Sequence, residues 1–342
     1  MNERQIIEYI VDLAGPESSA DLVAGIGDDC AVVARDDRRS WLLTMDTLIE
    51  SIHFDTSFHP PEKVGRKAVS VNVSDIAAMG GAPLFVLLSA AMPRGFDQEW
   101  FKAFGNGLAA ACREYGCLII GGDTVRNPDG FAFTLTVIGQ IETSRVVYRH
   151  GARPGDTIWV SGELGLAAAG LHMLSSGIGA DEQDFAAIRE KHLNPTARVA
   201  LGQALAAAGL VHAMMDLSDG LATDLAHICR QSGVAGRIIG HDLPGAATLA
   251  RPARLVGADT LNWIISGGED YELLFTADPA NSAAIRRIAE KCELKVSPVG
   301  DIIEGTGVTL VRRLADGTCS EEVVAYRGYD HFRSSDGGQG GE

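Results

Sequence analysis

The stretch Gly151-Ala-Arg-Pro-Gly-Asp156 divides this chain in two. Pro154-Gly155 is a strong turn signal, and no apolar periodicity runs through it. On its N-terminal side, strand-like and helix-like segments alternate. Apolar, β-rich runs fall at Cys30–Val33, Trp41–Ile49, Leu84–Ala91, Cys117–Ile120 and Phe131–Ile141. Helical patterns lie between them, chiefly Glu62–Met79 and Gln98–Tyr115. On the C-terminal side a strand, Thr157–Val160, and a helix, Leu164–Ser175, begin at once. Further helices are read over Ala197–Ala208 and Leu221–Cys229. Strands are read at Met214–Leu217, Arg237–Ile239, Trp263–Ser266, Glu272–Thr276, Val296–Val299 and Val308–Arg312. The expected class is α/β (or α+β) in two domains, 1–150 and 151–333, with a Gly- and Ser-rich tail over 334–342 that packs on nothing.

Composition narrows the function classes. A length of 342 residues suits two domains. Lys and Arg number 29 against 45 Asp and Glu, a net charge of −16. That surplus repels phosphate backbones and anionic membrane surfaces, so neither nucleic acid nor membrane is an expected partner. A hydrophobic share of 46% is too high for a disordered chain. The longest apolar run, Leu84–Met92, is about half of what a membrane span needs. Nothing at the N-terminus resembles a signal peptide. Six cysteines, at 30, 112, 117, 229, 292 and 319, form no Cys-x-x-Cys and read as reduced thiols of a cytoplasmic protein.

Aspartate outnumbers glutamate, 26 to 19, and its placement is patterned. Five motifs share one grammar, an apolar strand meeting Asp mixed with Gly, Ser or Thr. They are Gly25-Ile-Gly-Asp-Asp29, Thr44-Met-Asp-Thr47, Gly121-Gly-Asp-Thr124, Asp216-Leu-Ser-Asp-Gly220 and Ser266-Gly-Gly-Glu-Asp270. Each alone also reads as turn chemistry, or as a cap for the helix that starts at Leu221. Asp75 differs, since it lies inside a mostly apolar helix beside the stripe of Val64, Ala68 and Val71. Were several of these acids to converge, two carboxylates ~4 Å apart would repel by roughly 4 kcal/mol at an effective dielectric of about 20. Such a cluster requires cations, and its oxygen-only donors select Mg²⁺, Mn²⁺ or Ca²⁺ over zinc. Mg²⁺ on a few carboxylates usually meets a substrate phosphate, and glycines let backbone N–H groups approach phosphate oxygens. A nucleotide-using phosphoryl transferase is the resulting hypothesis. It has no Gly-x4-Gly-Lys-Ser/Thr, no Gly-x-Gly-x-x-Gly opening a helix, and no protein-kinase His-Arg-Asp with Asp-Phe-Gly.

Taken together, seven segments resemble the thiamine-monophosphate kinase family, of the superfamily that includes aminoimidazole ribonucleotide synthetase and selenophosphate synthetase. They are Gly25–Val32, Asp46–Phe54, Val71–Gly80, Ile120–Thr124, Asp216–Leu221, Ser266–Leu273 and Gly328–Phe332. The resemblance implies an N-terminal sheet domain that pairs with a second subunit, a C-terminal α/β domain, and ATP-dependent phosphorylation of thiamine monophosphate to thiamine diphosphate. It implies magnesium at Asp29, Thr44, Asp46, Asp75, Asp123, Asp216 and Asp219. It implies ATP at Gly122, Arg149 and Ser218, and thiamine monophosphate at His53, Glu269 and Tyr326. Two positions depart from the family pattern. Met45 follows Thr44 where a second hydroxyl residue is common, so a ligand at 45 would be its main-chain oxygen. Tyr326 stands where Trp is frequent.

The implied chemistry suits the residue inventory. The acceptor is a phosphate oxygen, largely ionised at neutral pH because a monoester's second pKa is about 6. No general base is needed; charge neutralisation and in-line positioning are. An aromatic face at Tyr326 and the carboxylate of Glu269 suit a cationic thiazolium ring. His53 also has an ordinary reading, as a strand-end histidine bonded to backbone, while Tyr271 and Trp263 read as core. The alternatives are another ATP-using enzyme of the superfamily and a non-catalytic metal- or nucleotide-binding relative.

Overall fold

A computed structural model describes residues 3–14, 19–179, 182–241, 243–313 and 317–324. In the N-terminal half the elements run α1 (Glu3–Ala14), β1 (Leu22–Ala24), β2 (Ala31–Ala34), β3 (Arg39–Ile49), α2 (Pro61–Ala78), β4 (Ala82–Met92), α3 (Gln98–Tyr115), β5 (Leu118–Arg126) and β6 (Ala132–Glu142). Local chemistry sets the helix limits. Pro61 opens α2, where its missing N–H is no loss. The Asp97 side chain accepts from the Glu99 N–H to start α3, and Gly116, at φ 73°, ends it. The α2 stripe of Val64, Ala68 and Val71 is fully buried and packs among Phe104, Phe133 and Leu135.

These strands form a six-stranded sheet in the order β1-β2-β3-β6-β4-β5. β6 pairs antiparallel with both β3 and β4, and β5 joins β4 in parallel at one edge. All nine residues of β5 are exposed, including Leu118, Ile119, Ile120 and Val125.

The C-terminal half continues with β7 (Thr157–Ser161), α4 (Leu166–Ser176), α5 (Ala186–Leu193), α6 (Val199–Ala208), β8 (Ala213–Asp216), α7 (Leu221–Ser232) and β9 (Ala235–Ile239). It ends with α8 (Ala246–Val256), α9 (Thr260–Ser266), β10 (Leu273–Ala277), α10 (Ser282–Lys291), β11 (Val296–Ile303), β12 (Gly307–Arg313) and β13 (Cys319–Val323). Its seven strands are ordered β13-β12-β9-β11-β7-β10-β8, with β9 and β12 parallel. The α/β expectation therefore holds in both halves.

The helices α1, α5, α8 and α10 are not read from the sequence, and one element that is read takes the other state. Trp263–Ser266 is the end of α9, not a strand. Three consecutive apolar side chains suit either state, and here the Asp259 carboxylate accepts from the Leu261 N–H and fixes a helix start. Trp263, Ile264 and Ile265 then bury together in the C-terminal core.

The two halves are packed on each other. A third core joins Ala78 and Val147 to Trp159, Leu201, Leu205 and Phe275. α6 lies so close to α2 that a Cβ at Gly202 would fall 2.1 Å from the Ala77 carbonyl oxygen, so only glycine fits there. Tyr326, the Gly328–Phe332 segment and the 334–342 tail lie outside the described residues. No helix among the described residues is long and apolar enough to cross a membrane.

Candidate active site

Acidic side chains from both halves meet at this junction. Asp29 precedes β2, Thr44 and Asp46 lie on β3, Asp75 lies on α2, and Asp216 ends β8. Asp29, Asp75 and Asp216 each present an oxygen such that all three atoms lie within 4.8 Å of one another. Neighbouring polar groups fix them. The Thr44 hydroxyl donates to Asp75 Oδ2, and Ser74 Oγ donates to Asp216 Oδ2 at 2.6 Å. Asn72 Oδ1 accepts from the Asp46 N–H at 2.9 Å, anchoring β3 to α2. Arg149 donates from Nε to Asp29 Oδ1 at 3.1 Å, and its guanidinium makes a second bond to the same oxygen. Its own N–H lies 3.2 Å from Asp28 Oδ1, so Asp28 and Asp29 hold this arginine together.

Electrostatics marks the cluster as incomplete. Burial, then the neighbouring Asp29, pushes Asp216 up to about 7. Burial and Asp29 likewise raise Asp28 to about 6. Asp75 is driven well above the ordinary carboxylate range by burial and by Asp46, Asp216 and Asp29. Asp29 Oδ2 is buried and has no hydrogen-bond partner. An all-oxygen donor set, crowded like charges and an orphaned carboxylate oxygen together fit a hard divalent cation such as Mg²⁺.

Other expected positions are placed less tightly. Asp219 and Ser218 follow Asp216 in the turn before α7 and are part-buried. That turn is held by a residue the sequence reading passed over. Asp224, 1% exposed, accepts from the N–H groups of Asp219 and Gly220, both at 3.1 Å. The Met45 side chain is exposed. Gly122 and Asp123 lie on exposed β5, and Asp123 is outside the group of three. Asp123 Oδ1 accepts from the Thr124 N–H at 2.8 Å. Gly122 has φ 151°, and a Cβ there would meet the Leu88 carbonyl oxygen at 1.7 Å, so a side chain would push β5 off β4.

The loop after α9 brings Glu269 beside this turn. Its N–H donates to the Ser218 carbonyl at 2.8 Å, while Glu269 itself sits at φ 68° and Tyr271 at φ 49°. Left-handed backbone at two non-glycine residues is strain of the kind found at functional sites. Glu269 Oε1 lies 2.7 Å from Lys67 Nζ, and Oε2 lies 3.0 Å from His192 Nδ1. Burial alone would raise this acid, but Lys67 and His192 prevail and hold it below the ordinary range. His53 shows its ordinary reading, with Nδ1 accepting from the Ile49 N–H at 3.0 Å. Its carbonyl accepts from Lys67 Nζ at 3.0 Å. Asp28, Lys67, His192 and Asp224 are the residues that sequence reasoning missed. Only Asp28 carried a signal, as the first acid of the Asp-Asp pair.

Comparison with known proteins identifies the family. Residues 27–141 match the family model described as AIR synthase related protein, N-terminal domain, and residues 153–313 match its C-terminal domain. The thiamine-monophosphate kinase of Haemophilus influenzae is 36% identical over 310 residues, 91% of this chain and 92% of that protein. The Bacillus subtilis enzyme of the same name is 33% identical over 337 residues, 97% of this chain and 100% of its own. A solved structure described as AaThiL complexed with AMPPCP and TMP superposes with a TM-score of 0.83 at 34% identity, covering 97% of each chain. Two matched domains, an acidic cluster at their junction and near full-length similarity leave one assignment: the chain belongs to the thiamine-monophosphate kinase family of AIR synthase related proteins.

Proposed function

We propose that this protein is an ATP-dependent kinase that phosphorylates thiamine monophosphate to thiamine diphosphate by direct in-line transfer. The observation that carries the reading is the convergence of Asp29, Asp75 and Asp216 within 4.8 Å at the domain junction, in a chain of this family. The relative captured with AMPPCP and TMP supports the substrate pair. Asp29, Thr44, Asp46, Asp75, Asp123, Asp216 and Asp219 would hold several Mg²⁺ ions, with the Met45 main chain as a further oxygen. Bound magnesium supplies charge neutralisation between two anionic substrates.

The chain's own residues do the rest. Arg149, fixed on Asp29, adds positive charge beside the ATP phosphates, with Gly122 and Ser218 offering close backbone approach. Glu269, kept ionised by Lys67, and His53 face the thiamine side, with Tyr326 as its aromatic surface. Since the acceptor phosphate is already ionised, none of these residues acts as a base. Exposed β5, with Gly122 and Asp123 on it and an open edge of apolar residues, supports a homodimer in which a second copy covers that strand. The free cysteines support a cytoplasmic location.

Incubation with ATP, Mg²⁺ and thiamine monophosphate tests the reading through formation of thiamine diphosphate. ATP binding without product would favour a non-catalytic relative. Radiolabelled phosphate trapped on the protein after ATP alone would sink direct transfer.

A further inference from the structure

Lys67 is the most enclosed cation of the site. Its side chain lies on α2 with no exposed surface, and Nζ reaches both Glu269 Oε1 at 2.7 Å and the His53 carbonyl oxygen at 3.0 Å. His192 of α5 closes on the other carboxylate oxygen at 3.0 Å. Lys67 and His53 belong to the N-terminal half, Glu269 and His192 to the C-terminal half, so one ammonium spans the junction. Stability alone is a poor reason for it. Taking an ammonium wholly out of water to meet a half-buried carboxylate is expensive, and an apolar side chain of similar volume often serves stability as well or better. Meanwhile Glu269 occupies a left-handed backbone conformation that its surroundings must enforce.

We infer that Lys67 is a positioning residue whose ammonium, anchored on the His53 carbonyl, locks the Glu269 carboxylate into one preformed frame for thiamine monophosphate. The inference rests on the proposed placement of His53 and Glu269 on the substrate side. Preformation means that binding does not have to order the two halves of this subsite. Removing the ammonium therefore weakens thiamine monophosphate binding and leaves ATP handling and the transfer step largely alone.

Steady-state kinetics of wild type, Lys67→Met, Glu269→Gln and the double variant test this, each checked for folding by thermal melting. Lys67→Met should raise KM for thiamine monophosphate about tenfold or more, with kcat and KM for ATP within about threefold. In the double variant KM should match the worse single variant, not the product of the two, because both act through one carboxylate. A wild-type KM in Lys67→Met, an equal loss in kcat and both KM values, or multiplicative effects in the double variant would each overturn the inference. Should Lys67→Met fail to fold, the double variant, which leaves no half-buried carboxylate without its ammonium, is compared with Glu269→Gln alone. Equal KM supports the frame, and a further tenfold rise refutes it. Failure of wild type to form thiamine diphosphate would refute the functional reading instead. Calorimetric Kd values for thiamine monophosphate would then decide the frame, with about tenfold weaker binding in Lys67→Met supporting it, and equal binding or no binding to wild type refuting it.

Discussion

Two groups of buried or half-buried carboxylates sit near the domain junction, and the molecule treats them in opposite ways. Glu269 faces Lys67 and His192, while Glu272 accepts from Arg198 Nε at 2.6 Å and from Ser161 Oγ at 2.6 Å, with Lys191 at 3.4 Å. Burial would raise both glutamates, yet these partners hold both below the ordinary range. Asp29, Asp75 and Asp216 have Arg149 alone as a close cation among the described residues; burial pushes all three up, and at Asp75 and Asp216 repulsion by neighbouring aspartates adds to it. The glutamates are electrostatically complete once the chain has folded. The aspartates lack that balance, and on the proposed reading a cation from outside supplies it, which separates architecture from chemistry at this junction.

The strongest attack on this contrast is Asp75→Asn or Asp216→Asn. Either should lower turnover about a hundred- to a thousandfold, the scale of losing one major electrostatic contact to a transition state. The metal-free melting temperature should hold or rise, because a repelling charge is gone. Near-normal activity in both variants would erase the distinction.

Next in size is Arg198→Met, which leaves Glu272 buried without its main partner and should cost about 3–5 kcal/mol by denaturant unfolding. An unchanged midpoint would mean that Glu272 is not held as described.

Magnesium supplies a gentler probe, since a ligand at a hundred times its Kd stabilises by about 2.7 kcal/mol. The sign with pH is specific. Folded Asp216 keeps its proton up to about 7, whereas an unfolded aspartate releases it near 3.8. Between those values the folded chain binds more protons, so metal-free stability falls as pH rises through that window. Mg²⁺ binds the ionised form, so its stabilising shift should be larger at pH 8 than at pH 6. A pH-independent shift would argue against carboxylate ligands. At the small end, Lys102→Gln removes a pair whose side chains are 65% and 79% exposed, and should change stability by no more than about 0.5 kcal/mol.

Much of this was legible in the sequence because it is written locally. The α3 span follows from its apolar period, and the α2 stripe from Val64, Ala68 and Val71. The Asp motifs are legible for the same reason, as strand ends carry their turn residues with them. Lys67 and His192 were not legible. A lysine on a helix ordinarily snorkels to water, and only a carboxylate about two hundred residues away makes it a buried residue. Asp224 likewise reads as an ordinary acid of an early helical turn until its carboxylate is seen gripping the turn before it. Trp263–Ser266 failed for the opposite reason, since a short apolar run holds no period and the Asp259 cap was the better signal.

The exposed strand β5 has a consequence for the life of the chain in a crowded solution. A row of open backbone groups flanked by Leu118, Ile119 and Ile120 is a template for any stray strand, so a newly made copy is an aggregation hazard. The usual remedy, a charge or proline placed mid-strand, would fall on or beside Gly121, Gly122 and Asp123. If Gly122 and Asp123 serve ATP and magnesium as proposed, selection on solubility and selection on catalysis compete for the same few residues. Yield of soluble protein from an overexpressing host should therefore rise if the proposed second copy covers that edge.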